Sequence, residues 1–254
     1  MRDIVRKARL RLLQMHYESG VGHIGGNLSC LDLLLTLHHR VLAGDDQFVL
    51  SKGHAAGALY VTLWSRGVLS DDDLKRFHKD QTRLAGHPPV SGIAGVPFAT
   101  GSLGHGLGLA TGLALAKRLK REPGRVFCLT SDGEWNEGST WEALMFAAHN
   151  KLERLTFVID LNGLQGFGTT EAVADLGPLR DKLATFRIEL IEIDGHDPAS
   201  IEAALRTTAD RPVAIVARTV KGRGVSFMEH KMEWHYLPLT AAQYQQAVAE
   251  IGQP

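Results

Sequence analysis

The amino-acid sequence predicts an α/β protein, a doubly wound and mainly parallel sheet with helices on both faces. Three observations carry that prediction. Short apolar runs of strand length at 48–50, 126–129, 155–159, 188–193 and 213–217 alternate with stretches of helical periodicity. Several runs end in polar, glycine-containing segments: Ser51-Lys52-Gly53-His54, Ser131-Asp132-Gly133 and Asp160-Leu161-Asn162-Gly163. In an open parallel sheet those carboxyl ends are where ligands bind. With 254 residues and no internal repeat or low-complexity tract, residues 1–254 are expected to form a single domain.

Taken in order, residues 3–18 predict a helix with Ile4, Val5, Ala8, Leu12 and Met15 on one side. The following Ser19-Gly20-Val21-Gly22-His23-Ile24-Gly25-Gly26 places four glycines in seven residues and is expected to interrupt helix. Asn27 or Ser29 then caps a helix to about Val41, with Leu31, Leu34, Leu35 and His38 spaced for burial. After the 48–50 strand, Ser70 to Asp73 reads as a capping box with Asp in place of the usual Glu. Pro88 and Pro89 impose an extended path beyond Gly86-His87. Thr100 to Gly106 leads into a glycine- and alanine-rich helix whose small residues allow close packing, and the stretch 103–119 reads as a buried helix.

The central unit is a strand from Val126, a helix with Trp141, Leu144, Met145 and Ala148 on one apolar face, and a strand from Leu155. Beyond it, Asp194-Gly195-His196-Asp197 caps a helix from Ala199 to about Thr207. Lys221-Gly222-Arg223-Gly224 reads as a solvated loop after the last strand, and Thr240 caps a final helix containing Tyr244 and Val248.

Composition excludes several classes of function. Lys plus Arg and Asp plus Glu number 28 each, so no overall field draws the protein to nucleic acid or to a membrane surface. The basic amino terminus lacks the uninterrupted apolar core of a signal peptide. Cys30, placed at a helix start, and Cys128, inside a strand, are the only cysteines; a disulfide framework is not expected, and a reducing, cytoplasmic location is.

The chemistry concentrates at two strand ends. Asp132 offers a carboxylate and Asn162 an amide oxygen, thirty positions apart. Hard oxygen ligands with a main-chain carbonyl suit Mg²⁺, which leaves positions for phosphate oxygens. Gly133 and the helix behind it can turn backbone N–H groups towards a diphosphate. Taken singly, each residue also has an ordinary reading, Asp132 as a helix cap and Asn162 as a turn residue.

Asp-Gly followed some thirty residues later by Asn resembles the thiamine diphosphate-binding motif. More narrowly, nearly the whole chain resembles the amino-terminal half of transketolase, encoded separately as a split subunit. The resemblance implies the thiamine diphosphate-binding fold, Mg²⁺ on Asp132, Asn162 and the carbonyl of Leu164, and Gly133 against the diphosphate. It further implies that Gly101, Ser102 and Leu103 lie against the thiamine rings, and that Glu137 sits at the subunit contact linking two active sites. His23, His54 and His87 match histidines that face the sugar, and His235 one near the diphosphate. One departure is Ser131, where the motif usually has Gly; it fits if its φ is negative. His105 stands where the family often has another polar residue.

The implied activity is transfer of a two-carbon ketol unit from a ketose or ketose phosphate to an aldose or aldose phosphate, with thiamine diphosphate and Mg²⁺. The pyrimidine-binding domain is absent from this chain, so a separately encoded pyrimidine-binding subunit is the expected partner. Self-association to a dimer and an α2β2 heterotetramer follow from the same resemblance. The alternatives are a subunit of another thiamine diphosphate enzyme acting on a 2-oxo acid, and a non-catalytic ligand-binding domain.

Overall fold

A computed structural model of the chain describes residues 1–90 and 92–252. Five strands form one wholly parallel sheet: β1 (Gln47–Leu50), β2 (Val126–Ser131), β3 (Leu155–Leu161), β4 (Glu189–Asp194) and β5 (Val213–Arg218). Their spatial order is β1-β2-β3-β5-β4. Every residue of β2 is buried, as is β3 up to Asp160, which explains why these strands read as near-continuous apolar runs. β4 lies at the edge and is only partly covered.

Helices cover both faces, as the alternating pattern predicts. On one side α1 (Arg2–Ser19), α2 (Ile24–Thr36), α3 (Ala56–Ser65), α9 (Pro198–Arg206) and α10 (Ala241–Gly252) pack with Leu12, Leu28, Leu34, Phe127, Ile201, Ile215 and Ala247 in one core. On the other, α5 (Gly106–Lys120), α6 (Gly138–His149) and α8 (Leu179–Ala184) close over Leu107, Ala110, Leu144, Phe157 and Leu183. Two short helices, α4 (Asp71–Lys75) and α7 (Thr170–Ala174), sit in the connections.

Several local expectations hold. Ser70 and Asp73 form the reciprocal capping box of α4, Asp197 caps α9 through the Ala199 and Ser200 N–H groups, and the Thr240 hydroxyl accepts from the Gln243 N–H before α10. Both cysteines are free and buried, and among the described residues no helix is long and apolar enough to cross a membrane.

Others need correction. α2 begins at Ile24 and contains Gly25 and Gly26, so the glycine segment interrupts helix only from Gly20 to His23. Asn27 and Ser29 are therefore interior residues, not caps, and Cys30 lies mid-helix. The helical turn also changes at Leu37–Val41, which is π-helical. These glycines are selected by packing: a Cβ on Gly22 would fall 2.4 Å from the Tyr236 carbonyl oxygen, and one on Gly25 would fall 3.1 Å from the Trp234 Cβ. Tertiary contact thus overrides the weak helix propensity of glycine.

α5 is buried on one face only, through Leu107, Ala110, Ala114 and, unexpectedly, Lys117, whose ammonium donates to the Asp45 and Pro123 carbonyls at 2.8 and 2.9 Å. Gly106 packs against Ser51, whereas Gly108 and Gly112 face open space. On α6, Met145 is 52% exposed; Thr140, Ala143, Leu144, Ala147 and Ala148 form the buried face. The segment after β5 is no solvated loop, because Lys221 is 2% exposed.

Candidate active site

The carboxyl edge of the sheet gathers the groups singled out in the sequence. Asp132 follows β2 and accepts from its neighbour Gly133 N–H at 2.8 Å and from the Gly163 N–H beyond β3 at 2.6 Å. Asn162 Oδ1 accepts from the Leu164 N–H at 3.1 Å. The loop is tightened by Gln165 N–H to Gly168 O and Thr170 N–H to Gly163 O. Asp132, Asn162 and Leu164 are therefore brought to one place by two connected loops. Ser131 has negative φ, as the departure from Gly requires. Gly133 has its N–H turned to Asp132, and the Gln165 side chain lies against it, 2.9 Å from where a Cβ would stand.

Four histidines surround one another beside these loops. The ring of His23 lies 5.7 Å from that of His54, 5.7 Å from His87 and 5.0 Å from His235, centroid to centroid. His54 and His235 are 5.4 Å apart. His23 occupies the left-handed region at φ 66°, directly before α2, an uncommon conformation for a residue with a side chain and one that clusters at functional sites. Asn27 holds this arrangement by donating to the His23 carbonyl at 2.8 Å and the His54 carbonyl at 3.1 Å, while its Oδ1 accepts from Ala58 N–H. Burial, then the neighbouring positive groups, lowers His23 to about 4 and His235 to about 3. His54 is held well below its ordinary value and His87 is lowered, both chiefly by burial. All four rings are neutral at pH 7, able to donate or accept a proton without carrying charge.

The loop of Gly101, Ser102 and Leu103 borders this cluster. Gly53 lies so close to it that a Cβ would meet the Gly101 nitrogen at 2.6 Å, and Gly101, at φ 149°, packs on the His87 ring. Glu134 fastens the loop from below, accepting from the Gly104 N–H at 2.8 Å, from the Ser131 N–H at 3.3 Å and from the Ser51 hydroxyl. Glu137 lies apart from the histidines, exposed at the start of α6 and making no capping bond. His105 is exposed with Nδ1 3.2 Å from the Leu103 carbonyl.

Sequence reasoning missed three charged residues. Lys52 and Asp160 form a fully buried ion pair under the cluster, in which Asp160 also accepts from Ser29 at 2.6 Å and from Thr219. Burial opposes both charges, but each partner outweighs it, so Lys52 is raised and Asp160 lowered. The third is Lys221, whose ammonium lies 3.4 Å from the Leu164 carbonyl and donates to His235 Nδ1 at 3.1 Å. Burial, then Lys52, lowers it to about 8. The available signal was position: Lys52 and Asp160 each stand at a strand's carboxyl end, and Lys221 three residues past one.

The donor set fits a hard divalent cation. Burial, then the charge of Asp160, pushes the Asp132 carboxyl up to about 6, so its anionic form lacks compensation. A cation there would supply it. Among the described residues no group of three or more histidine, cysteine or carboxylate side chains could hold a metal. One carboxylate, one amide and one carbonyl are the sparse oxygen set that suits Mg²⁺ shared with phosphate.

The family model of the transketolase thiamine diphosphate binding domain matches residues 2–254. One of the paired subunits of the apulose-4-phosphate transketolase of Phocaeicola vulgatus is 37% identical, over 97% of this chain and 92% of that protein. The 6-deoxy-6-sulfo-D-fructose transketolase subunit SqwG of a Clostridium species is 35% identical, over 98% and 94%. Human transketolase is 34% identical over 99% of this chain but 42% of its own length. Among solved structures, transketolase from Campylobacter jejuni superposes with a TM-score of 0.89 at 27% identity, covering 98% of this chain and 43% of that one. The chain thus spans about two fifths of the solved transketolases that it matches and nearly all of the relatives named as transketolase subunits.

Proposed function

The chain belongs to the transketolase family, and from that premise we propose that it is the diphosphate-binding subunit of a two-subunit enzyme transferring a two-carbon ketol unit from a ketose to an aldose. The observation that carries this reading is the convergence of the Asp132–Leu164 oxygen set with four mutually adjacent neutral histidines at one edge of the sheet. A 2-oxo acid substrate needs no such array of hydroxyl-handling groups, and the relatives above are named for sugar derivatives.

In this reading Asp132, Asn162 and the Leu164 carbonyl hold Mg²⁺, and Gly133 stands beside the diphosphate. The Lys221 ammonium, beside Leu164 and His235, meets the negative charge of that diphosphate. Gly101 to Leu103 give backbone groups to the rings. Thiamine diphosphate supplies the carbanion chemistry when bound. The protein's own part is binding and proton handling: His23, His54 and His87 orient the substrate's hydroxyls and exchange protons with them as neutral bases or, once protonated, acids. His235, held by Lys221, stays an acceptor at Nδ1. Glu137, exposed at the start of α6, is free to meet another subunit.

The partner is a separately encoded pyrimidine-binding subunit, the assembly an α2β2 heterotetramer, and the compartment the reducing cytoplasm. Two relatives are named for ketoses bearing a phosphate or a sulfonate, so a ketose with a terminal anion is the donor class proposed here. The test is to copurify the partner, add thiamine diphosphate and Mg²⁺, and compare ketose phosphate, ketose sulfonate and pyruvate as donors. Turnover with pyruvate alone would overturn the sugar assignment.

A further inference from the structure

We propose that Asp32 and His196 are positioning residues that set Lys221 in place, acting through the backbone of Val220. The proposal deepens the reading of Lys221 as part of the cofactor site and rests on it.

After β5 the chain must leave the sheet and present Lys221 towards Leu164 and His235. The residues on either side are held by main-chain or conventional side-chain bonds: Thr219 N–H to Leu161 O at 3.1 Å, Thr219 hydroxyl to Asp160, and Gly222 N–H to Gly25 O at 2.9 Å. Val220 is different. Its N–H donates to a side chain, His196 Nε2, at 2.9 Å. A backbone N–H can only donate, so Nε2 bears the lone pair and the ring proton is on Nδ1. Nδ1 then donates to Asp32 Oδ2 at 2.8 Å.

Asp32 is 3% exposed in the middle of α2, among leucines, where an unpaired carboxylate would be costly. Arg9 compensates its charge from α1 at 2.7 Å. The imidazole is itself fixed, because the His196 N–H donates to Asp194 Oδ1 at 2.8 Å and the ring is 8% exposed. A carboxylate on the helix that follows His23 therefore orients a ring that grips the strand exit one residue before Lys221. Lysine has four rotatable bonds, so its head is defined only as well as its backbone and the walls around it. Simple helix capping in this turn is done by Asp197, and no cap bond involves the His196 ring.

The test uses two isosteric halves of the imidazole in the full chain. His196→Asn keeps a donor near Nδ1 for Asp32 but cannot reach Val220. His196→Gln places an oxygen near Nε2 and keeps the acceptor for Val220. In the ligand-free protein, the rate at which acetic anhydride labels Lys221, read by mass spectrometry, is expected to rise in the Asn variant and stay near the wild-type rate in the Gln variant. The thiamine diphosphate dissociation constant with Mg²⁺ is expected to weaken about tenfold for Asn and by less than about threefold for Gln, the scale of one buried hydrogen bond. Equal labelling of Lys221 in the two variants, or labelling as slow in Asn as in wild type, overturns the proposal. If the wild-type chain, alone and with its partner, binds no thiamine diphosphate, the cofactor reading fails, and the labelling comparison still decides whether His196 positions Lys221.

Discussion

The Asp132 carboxylate accepts the Gly163 N–H at 2.6 Å, which stitches the loop after β2 to the loop after β3 where each offers an oxygen donor. One residue thus organises both halves of the cation site. Asp132→Ala is expected nearly to abolish Mg²⁺-dependent binding of thiamine diphosphate. Asn162→Ala removes a neutral oxygen and should cost only about tenfold. Titration calorimetry on folded variants checks this, and equal effects would remove Asp132 from the metal.

The histidines predict a separation of activity from stability. His54→Ala, His87→Ala and His23→Asn should each lower turnover of the reconstituted enzyme by about a hundredfold or more, the range of a lost proton-transfer group. Asparagine is chosen at His23 because it tolerates the left-handed backbone there. Melting temperatures should move little. A large loss of melting temperature with unchanged kcat would return these rings to a packing role.

Lys52 and Asp160 predict the opposite. Both are sealed from water, so Lys52→Met leaves an uncompensated buried carboxylate and should cost about 3–5 kcal/mol of stability. Lys52→Met with Asp160→Asn should cost less than the single change, because no charge is then stranded. Urea denaturation of the single and double variants gives the comparison, and a double loss equal to the sum of the single losses would contradict it.

The sheet was legible because buried parallel strands are continuous apolar runs, and the capping of α4, α9 and α10 because those caps are local. Asp132, Asn162 and the four histidines were legible through motif and resemblance, and the structure brings them together. What could not be read is what depends on contacts distant in sequence. The helical state of Gly25 and Gly26 follows from Trp234 and Tyr236 packing on that segment, more than two hundred residues away. Lys221 looked like part of a solvated loop because Lys-Gly-Arg-Gly is polar; only Leu164 and His235 make it a site residue. Met145 fits an apolar helical stripe, yet the helix rotates it outward, because spacing alone does not fix which edge of the stripe meets the sheet.

Buried histidines away from the site predict the acid limb of stability. Burial lowers His38 to about 4, and His39 and Arg66 beside it act in the same direction. His16 is likewise lowered to about 4 by burial. A folded-state value below the unfolded 6.5 means that stability is complete above pH 6.5 and is lost as pH falls through the folded value. His38→Leu should remove about 2–3 kcal/mol of the stability difference between pH 7 and pH 4.5. Denaturant titrations at the two pH values measure it, and an unchanged difference would show that His38 does not titrate in this window.

The last prediction is that the isolated chain has no ketol transferase activity and gains it from a partner. The loop of Gly101 to Leu103 forms the rim of an open, mainly apolar groove of about 740 Å³ lined by Phe98, Leu109 and Leu113, with Gly108 and Gly112 unopposed. Met145 and Phe146 on the neighbouring α6 are 52% and 47% exposed. Contiguous apolar surface of this kind marks an interaction site more often than a solvated face. A second protein chain seated there would lie against the same loop that is proposed to hold the thiamine rings. Assembly and cofactor retention are then coupled, because each stabilises the ordered loop that the other requires. The chain alone should bind thiamine diphosphate weakly, by its diphosphate end, and self-associate, most simply as a symmetric dimer. Phe146→Lys should impair assembly with the partner and the activity that depends on it, while leaving the chain's own melting temperature within a few degrees, since the side chain is half in solvent. Sedimentation and activity measured across a partner titration decide the matter, and robust turnover by the partner-free chain would refute it.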